Sequence, residues 1–201
     1  MKKRIIALFV CALMIFSLAA CGGTAEDETT VQQEASDKAD KNEKETEETA
    51  KEKEINGVFG EFVSTDVKGK KVDPDIFKGK KVTMVNIWGT FCAPCIREMP
   101  DLQKLNEDYA DKGFQVVGIV CDVYEGGDTA AAKEIINQTG VKYTNILSSD
   151  SLVLAKLGAV MSVPETLFLD ENGNQIGTNY VGSKSYESWA EIIDSVLAQV
   201  K

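Results

Sequence analysis

The sequence contains no histidine among its 201 residues. That absence excludes Ser–His and Cys–His nucleophilic pairs, together with His-ligated zinc, copper and haem sites. Any polar chemistry must come from Cys, carboxylates, Lys, Tyr or the backbone. Positive charge is also short: 22 Lys and Arg stand against 32 Asp and Glu, a net charge of −10. Such a chain is a poor partner for nucleic acid, whose binding depends on Lys and Arg displacing counterions. A membrane-spanning run is missing too. The apolar stretch at residues 5–16 has twelve residues, too few to cross about 30 Å of hydrocarbon.

What is present divides into three unlike parts. Lys2, Lys3 and Arg4 precede the apolar stretch, and Ser17-Leu-Ala-Ala-Cys21-Gly22 follows it. A basic start, a short apolar run and small residues make a secretory signal. Leu18-Ala19-Ala20-Cys21 also resembles the bacterial lipoprotein box, in which the Cys is acylated and becomes the first mature residue. Residues 1–20 are therefore expected to be a lipoprotein signal peptide, and Cys21 the lipidation site that places the protein on the bilayer. Residues 22–54 carry five Lys against twelve Asp and Glu, with Val31 the sole branched aliphatic and no aromatics. Such a segment cannot bury enough apolar surface to offset the entropy of ordering. Residues 21–54 are thus expected to be a disordered Glu/Lys-rich linker, and residues 55–201 the globular domain, close to the common single-domain size.

Within the globular part, strand and helix patterns alternate. Residues 57–72 alternate around Gly69 and suggest an N-terminal hairpin. Residues 81–88 and 114–121 are β-rich apolar runs, expected as buried central strands. Between them, Ile96, Met99, Leu102, Leu105 and Tyr109 recur at helical spacing over residues 93–112. Pro100 interrupts that pattern, so a kinked helix stopped by Gly113 is expected. A helix over 128–139, a short strand near 143–147 and a brief helix over 151–157 follow. A strand over 166–169 turns through Glu171-Asn-Gly-Asn into 175–180, and a C-terminal helix over 185–200 presents Trp189, Ile192, Ile193, Val196 and Leu197 on one face. The order implies an α/β sheet covered on both sides.

The chemistry is concentrated between Trp88 and Pro100. Cys92-Ala-Pro-Cys95 sits where a strand meets a helix. Unpaired N–H groups and the dipole at a helix N-terminus stabilise a thiolate, which favours Cys92 as nucleophile. Cys95, one turn on, is placed to attack a mixed disulfide and release a partner. Pro94 suits the first helical turn, where its missing N–H costs nothing, and Trp88 and Phe91 are expected to supply apolar walls. Other uses of the pair fit less well. A zinc site lacks a second Cys pair, haem attachment lacks the histidine that Ile96 replaces, and a structural bridge closing so small a ring stabilises little. A peroxidase loop of the form Pro-x-x-x-Thr-x-x-Cys is absent, since Thr90 lies only two residues before Cys92.

The stretch Asn86-Ile-Trp-Gly-Thr-Phe-Cys92-Ala-Pro-Cys95-Ile-Arg-Glu98-Met-Pro100 resembles the signature of the TlpA/ResA group of membrane-tethered thiol–disulfide oxidoreductases with a thioredoxin fold. Ser162-Val163-Pro164-Glu165-Thr-Leu-Phe-Leu-Asp170 resembles the cis-proline segment of that group, and residues 122–145 its helix-plus-strand insert. The resemblance implies a thioredoxin-like α/β fold, a central mixed sheet flanked by helices with an N-terminal hairpin. It assigns Cys92 and Cys95 as the redox pair and Pro164 as the cis-proline facing them, with Val163 backbone groups left for a client strand. Asn86 stands where thioredoxin has a buried Asp, and Glu98 resembles the carboxylate that the group uses instead to tune the thiols; the lesser alternative is a solvated helix residue. No metal or cofactor is implied. The implied partners are protein disulfide or thiol clients, such as apocytochrome c or a methionine sulfoxide reductase, and a membrane electron donor of the CcdA/DsbD type. A dithiol oxidase and a non-catalytic anchored binding module are the alternatives. Two features stand apart: Cys121, a third thiol at a strand end or a small buried hydrophobe, and Glu165, a charge beside the expected cis-proline.

Overall fold

A computed structural model of the chain describes residues 57–200. The expected signal peptide (1–20), the linker (21–54) and Cys21 lie outside the described residues. Seven strands and four helices follow one another from there. The N-terminal hairpin pairs β1 (Ser64–Thr65) with β2 (Lys71–Val72). It is tighter than the sequence alternation suggests, because the Asp66 carboxylate accepts hydrogen bonds from the N–H groups of Lys68 and Lys70 and folds the turn on itself.

The main sheet has the order β5-β4-β3-β6-β7. Its centre is β3 (Val82–Trp88), every residue of which is buried. β4 (Phe114–Tyr124) lies parallel beside it, with Val82 opposite Phe114 and Trp88 opposite Val120. β6 (Glu165–Leu169) runs antiparallel on the other flank. β5 (Asn145–Ser148) and β7 (Gln175–Val181) form the edges. β4 runs three residues past the expected Cys121 end, because beyond a bulge Tyr124 pairs again with Ser148.

Alternation along β3 divides the core in two. Met84 and Trp88 join Val116, Val120 and Phe168 beneath α1 (Ala93–Asp108), α2 (Ala130–Thr139) and α4 (Tyr186–Leu197). Val85 and Ile87 face the other way, against Phe59, Phe62, Phe77 and Leu152 of α3 (Asp150–Ala155). On β3 the polar residue of this first face is Asn86, fully buried at the middle of the sheet. α1 carries Pro100 within it and ends at Asp108; residues 110–112 form a separate 3₁₀ turn closed by Gly113 at φ 80°. The insert expected over residues 122–145 supplies α2 and leads into edge strand β5. No helix among the described residues is long and apolar enough to cross a membrane.

Candidate active site

β3 ends at Trp88, and α1 begins at Ala93 after four intervening residues. The connection is held from below: the Thr90 N–H and hydroxyl both donate to the Asp122 carboxylate on β4. Cys92 is the N-cap of α1, its N–H donating to the Gly89 carbonyl at 3.0 Å. The Cys92 sulfur accepts from the Cys95 N–H at 3.2 Å, which puts this atom at the positive end of the helix dipole. Cys92 and Cys95 are joined as a disulfide. Cys95 has no exposed surface, whereas Cys92 keeps 5%. The pair is thus more enclosed than a motif at an open loop tip would be, and only Cys92 offers an edge to an incoming sulfur.

The peptide bond between Val163 and Pro164 is cis. This places the Val163 carbonyl oxygen 3.6 Å from the Cys92 sulfur. The Val163 N–H bonds to none of the described residues. Pro94 is exposed in the first turn of α1, and Phe91 is 73% exposed beside the sulfurs. From Phe91 a hollow of about 490 Å³ runs along Cys121, Leu157, Val160 and Met161 to Val163. Its rim includes Met161, 92% exposed.

Trp88 does not line this surface. It is fully buried, and its indole N–H donates to Asn145 Oδ1 at 2.9 Å. The expectation that Trp88 walls the client site is corrected accordingly: it is the last residue of a central strand, and its alternation points it beneath α1. Of the two readings open for Glu165, a charge toward partners or one out of contact, the structure shows the second: its carboxylate is buried, paired with Lys156 at 2.5 Å and accepting from Asn179 Nδ2 at 2.7 Å. Cys121 is half-buried on the wall of the hollow, before the end of β4 rather than at it.

Glu98 is not a solvated helix residue. It lies one turn beyond Cys95, is 3% exposed and accepts three hydrogen bonds from side chains and backbone of other elements. Asn86 Nδ2 reaches Oε1 at 3.1 Å, while the Lys184 N–H and the Trp189 indole reach Oε2 at 3.2 and 3.3 Å. Burial pushes the carboxyl above its ordinary value, and those three donors with the Lys184 charge pull against it. The phenol of Tyr143, buried without a hydrogen-bond partner, is raised by its own burial and by the charge of Glu98. Sequence spacing brings Cys92, Cys95 and Glu98 onto one helix. It carried no signal for the roles of Lys184, Trp189, Asp122 or Asn145, which arrive from a loop, a helix and two strands distant in the chain.

The Redoxin family profile matches residues 33–193. The chain belongs to the Redoxin family. Within it, similarity runs to the thiol-disulfide oxidoreductase ResA of Bacillus thuringiensis (strain Al Hakam), 32% identical over 115 residues, covering 57% of this chain and 63% of that protein. The chain therefore spans a little under two thirds of that relative. ResA of Bacillus thuringiensis subsp. konkukian (strain 97-27) is 33% identical over 123 residues, 61% of this chain and 68% of that one. Among solved structures, a thioredoxin family thiol:disulfide interchange protein from Chlorobium tepidum TLS superposes with a TM-score of 0.58 at 27% identity, covering 68% of this chain and 93% of that one. This Redoxin-family domain is thus ResA-like in sequence, and the expected thioredoxin-like α/β fold is borne out.

Proposed function

We propose that this Redoxin-family chain is an extracytoplasmic thiol–disulfide oxidoreductase that reduces disulfides in exported client proteins. In this reading residues 1–20 direct export, acylated Cys21 anchors the chain to the cell membrane, and residues 21–54 tether the domain of residues 55–201. The observation that carries the proposal is the Cys92–Cys95 disulfide at the N-terminus of α1, its outer sulfur beside the Val163 carbonyl.

The reaction starts from the dithiol. The Cys92 thiolate, stabilised by first-turn N–H groups, attacks one sulfur of a client disulfide; the S–S bond breaks and the second client sulfur leaves and takes a proton. The Cys95 thiol then gives its proton to Glu98, and its sulfur attacks the Cys92 sulfur. The client's first sulfur leaves as a thiolate and is protonated in turn. The client gains two electrons and two protons, and the chain ends as the disulfide. Phe91, Pro94 and Val163 would hold the client segment, with Pro164 setting the direction in which Val163 presents its backbone. Apocytochrome c and an exported methionine sulfoxide reductase are the candidate clients, and a membrane carrier of the CcdA/DsbD type the candidate donor. The similarity to relatives named thiol-disulfide oxidoreductases supports disulfide exchange.

Insulin reduction by wild type and Cys92→Ser tests the activity. Turnover in wild type and its loss in the variant is expected; thiol-independent behaviour would point to an anchored binding module. The reduction potential tests direction, with about −270 mV marking a reductase and about −120 mV a dithiol oxidase.

A further inference from the structure

Asn86 occupies an unusual position for an amide. It is fully buried at the middle of the central strand, opposite Gly118 on β4 and Thr166 on β6. Its Nδ2 group uses both protons, one on Glu98 Oε1 at 3.1 Å and one on Thr166 Oγ1 at 3.0 Å. Its Oδ1 is buried and has no partner. A buried acceptor without a donor is costly, and each such group in a fold calls for an explanation.

The explanation lies in how Glu98 is held. Its Oε2 faces two donors that cannot become acceptors, the Lys184 N–H and the Trp189 indole. A proton taken up by Glu98 therefore goes onto Oε1, the oxygen facing Asn86. There it would meet an N–H group, donor against donor. A half-turn about the Asn86 Cβ–Cγ bond removes the conflict. The amide oxygen and nitrogen are nearly equal in size, and this torsion is broad and roughly two-fold. After the turn, Oδ1 accepts from Glu98 Oε1–H and from the Thr166 hydroxyl, which serves equally as donor or acceptor. Nδ2 becomes the group without a partner. Two hydrogen bonds are made in either orientation, each with its polarity reversed.

We propose that Asn86 is a reversible partner of Glu98, presenting Nδ2 to the carboxylate and Oδ1 to the protonated acid. It acts as a positioning residue, allowing a buried carboxyl to take and return a proton without losing its partner. The proposal rests on the oxidoreductase reading only for the use of that proton; the turn itself requires no client. Other groups facing Glu98 are the Lys184 ammonium and the Tyr143 phenol from neighbouring segments, and Cys95 on its own helix. In the oxidised chain Cys95 does not titrate, so the disulfide state isolates the effect.

The test uses the oxidised full-length chain in detergent micelles, labelled with ¹⁵N in Asn and ¹³C at the Glu carboxyl carbons. Glu98 protonation is followed through its ¹³Cδ shift from acid to alkaline pH, and the orientation of Asn86 through NOEs from its Nδ2 protons to Thr166. Those NOEs are expected to fade on acidification with the same midpoint as the Glu98 carbon. In Glu98→Gln they should not change with pH. NOEs that persist while Glu98 titrates would overturn the proposal, as would a Glu98 that never titrates or the same movement in Glu98→Gln. If the turn is seen but insulin reduction is absent, the oxidoreductase reading fails and the pairing stands.

Discussion

The indole of Trp88 bonds to Asn145 across an intervening strand, Nε1 to Oδ1 at 2.9 Å, above the bare Cα of Gly118. Asn145 passes the link on, its Nδ2 donating to the Tyr143 carbonyl at 3.1 Å. The strand that ends at the dithiol is thereby tied to the insert. A Cβ at position 118 would fall 2.0 Å from Asn145 Oδ1 and 3.2 Å from the Trp88 nitrogen. Gly118→Ala is therefore predicted to break this bond and destabilise the oxidised protein by about 2–4 kcal/mol, from overpacking and unpaired polar groups. Urea denaturation measures it; an unchanged midpoint would show that Asn145 swings aside freely.

Unequal exposure of the two sulfurs predicts unequal roles. Cys95→Ser should retain the first half of the exchange and accumulate a mixed disulfide between Cys92 and a client peptide. Cys92→Ser should form little adduct, because Cys95 has no exposed surface. Mass spectrometry of the trapped species decides, and comparable adduct yields on the two cysteines would contradict the assignment.

The carboxyl of Glu98 makes stability depend on pH in a stated direction. Burial holds its folded value above the ordinary 4.5, so the folded chain keeps this proton where the unfolded chain has lost it. The site's contribution is present in full below the unfolded value and is lost as pH rises through the folded one. Glu98→Gln cannot ionise. Its Tm relative to wild type should therefore increase as pH rises across that interval, measured by calorimetry on the disulfide form. The opposite trend would mean that the three donors outweigh desolvation.

Lys156 and Glu165 form a pair with little solvent access, their side chains 13% and 7% exposed. Removing one partner leaves a buried charge. Lys156→Met is predicted to cost about 3 kcal/mol, and the double variant with Glu165→Gln to recover much of it. Equal losses in the single and double variants would place the damage in packing instead.

Burial, with the charge of Asp122 second, pushes the Cys121 thiol up, so it holds little thiolate at neutral pH. In the reduced chain, alkylation should reach Cys92 before Cys121. Cys121→Ala should leave insulin reduction intact; a loss of turnover would make this third thiol part of the exchange.

Much of this protein is written in local spacing. Cys92-x-x-Cys95 at a strand-to-helix junction is a matter of four neighbouring residues, and the apolar runs that mark β3 and β4 and the helical period that marks α4 are likewise local. Absence was informative as well, because a chain without histidine leaves Cys, carboxylates, Lys and Tyr to carry protons. What spacing does not carry is the identity of distant partners. Glu98 keeps a solvated reading open until Lys184 and Trp189 close over it, and Trp88 reads as a surface wall until Asn145 takes its N–H. Glu165 reads only as a charge beside a proline until Lys156 pairs with it. The sequence by itself singled out the two sulfurs proposed for the redox chemistry and the helix N-terminus at which they lie. Only the tertiary structure decided which sulfur is reachable and what holds the buried acid, since hydrogen bonds and desolvation depend on segments joined through the fold rather than along the chain.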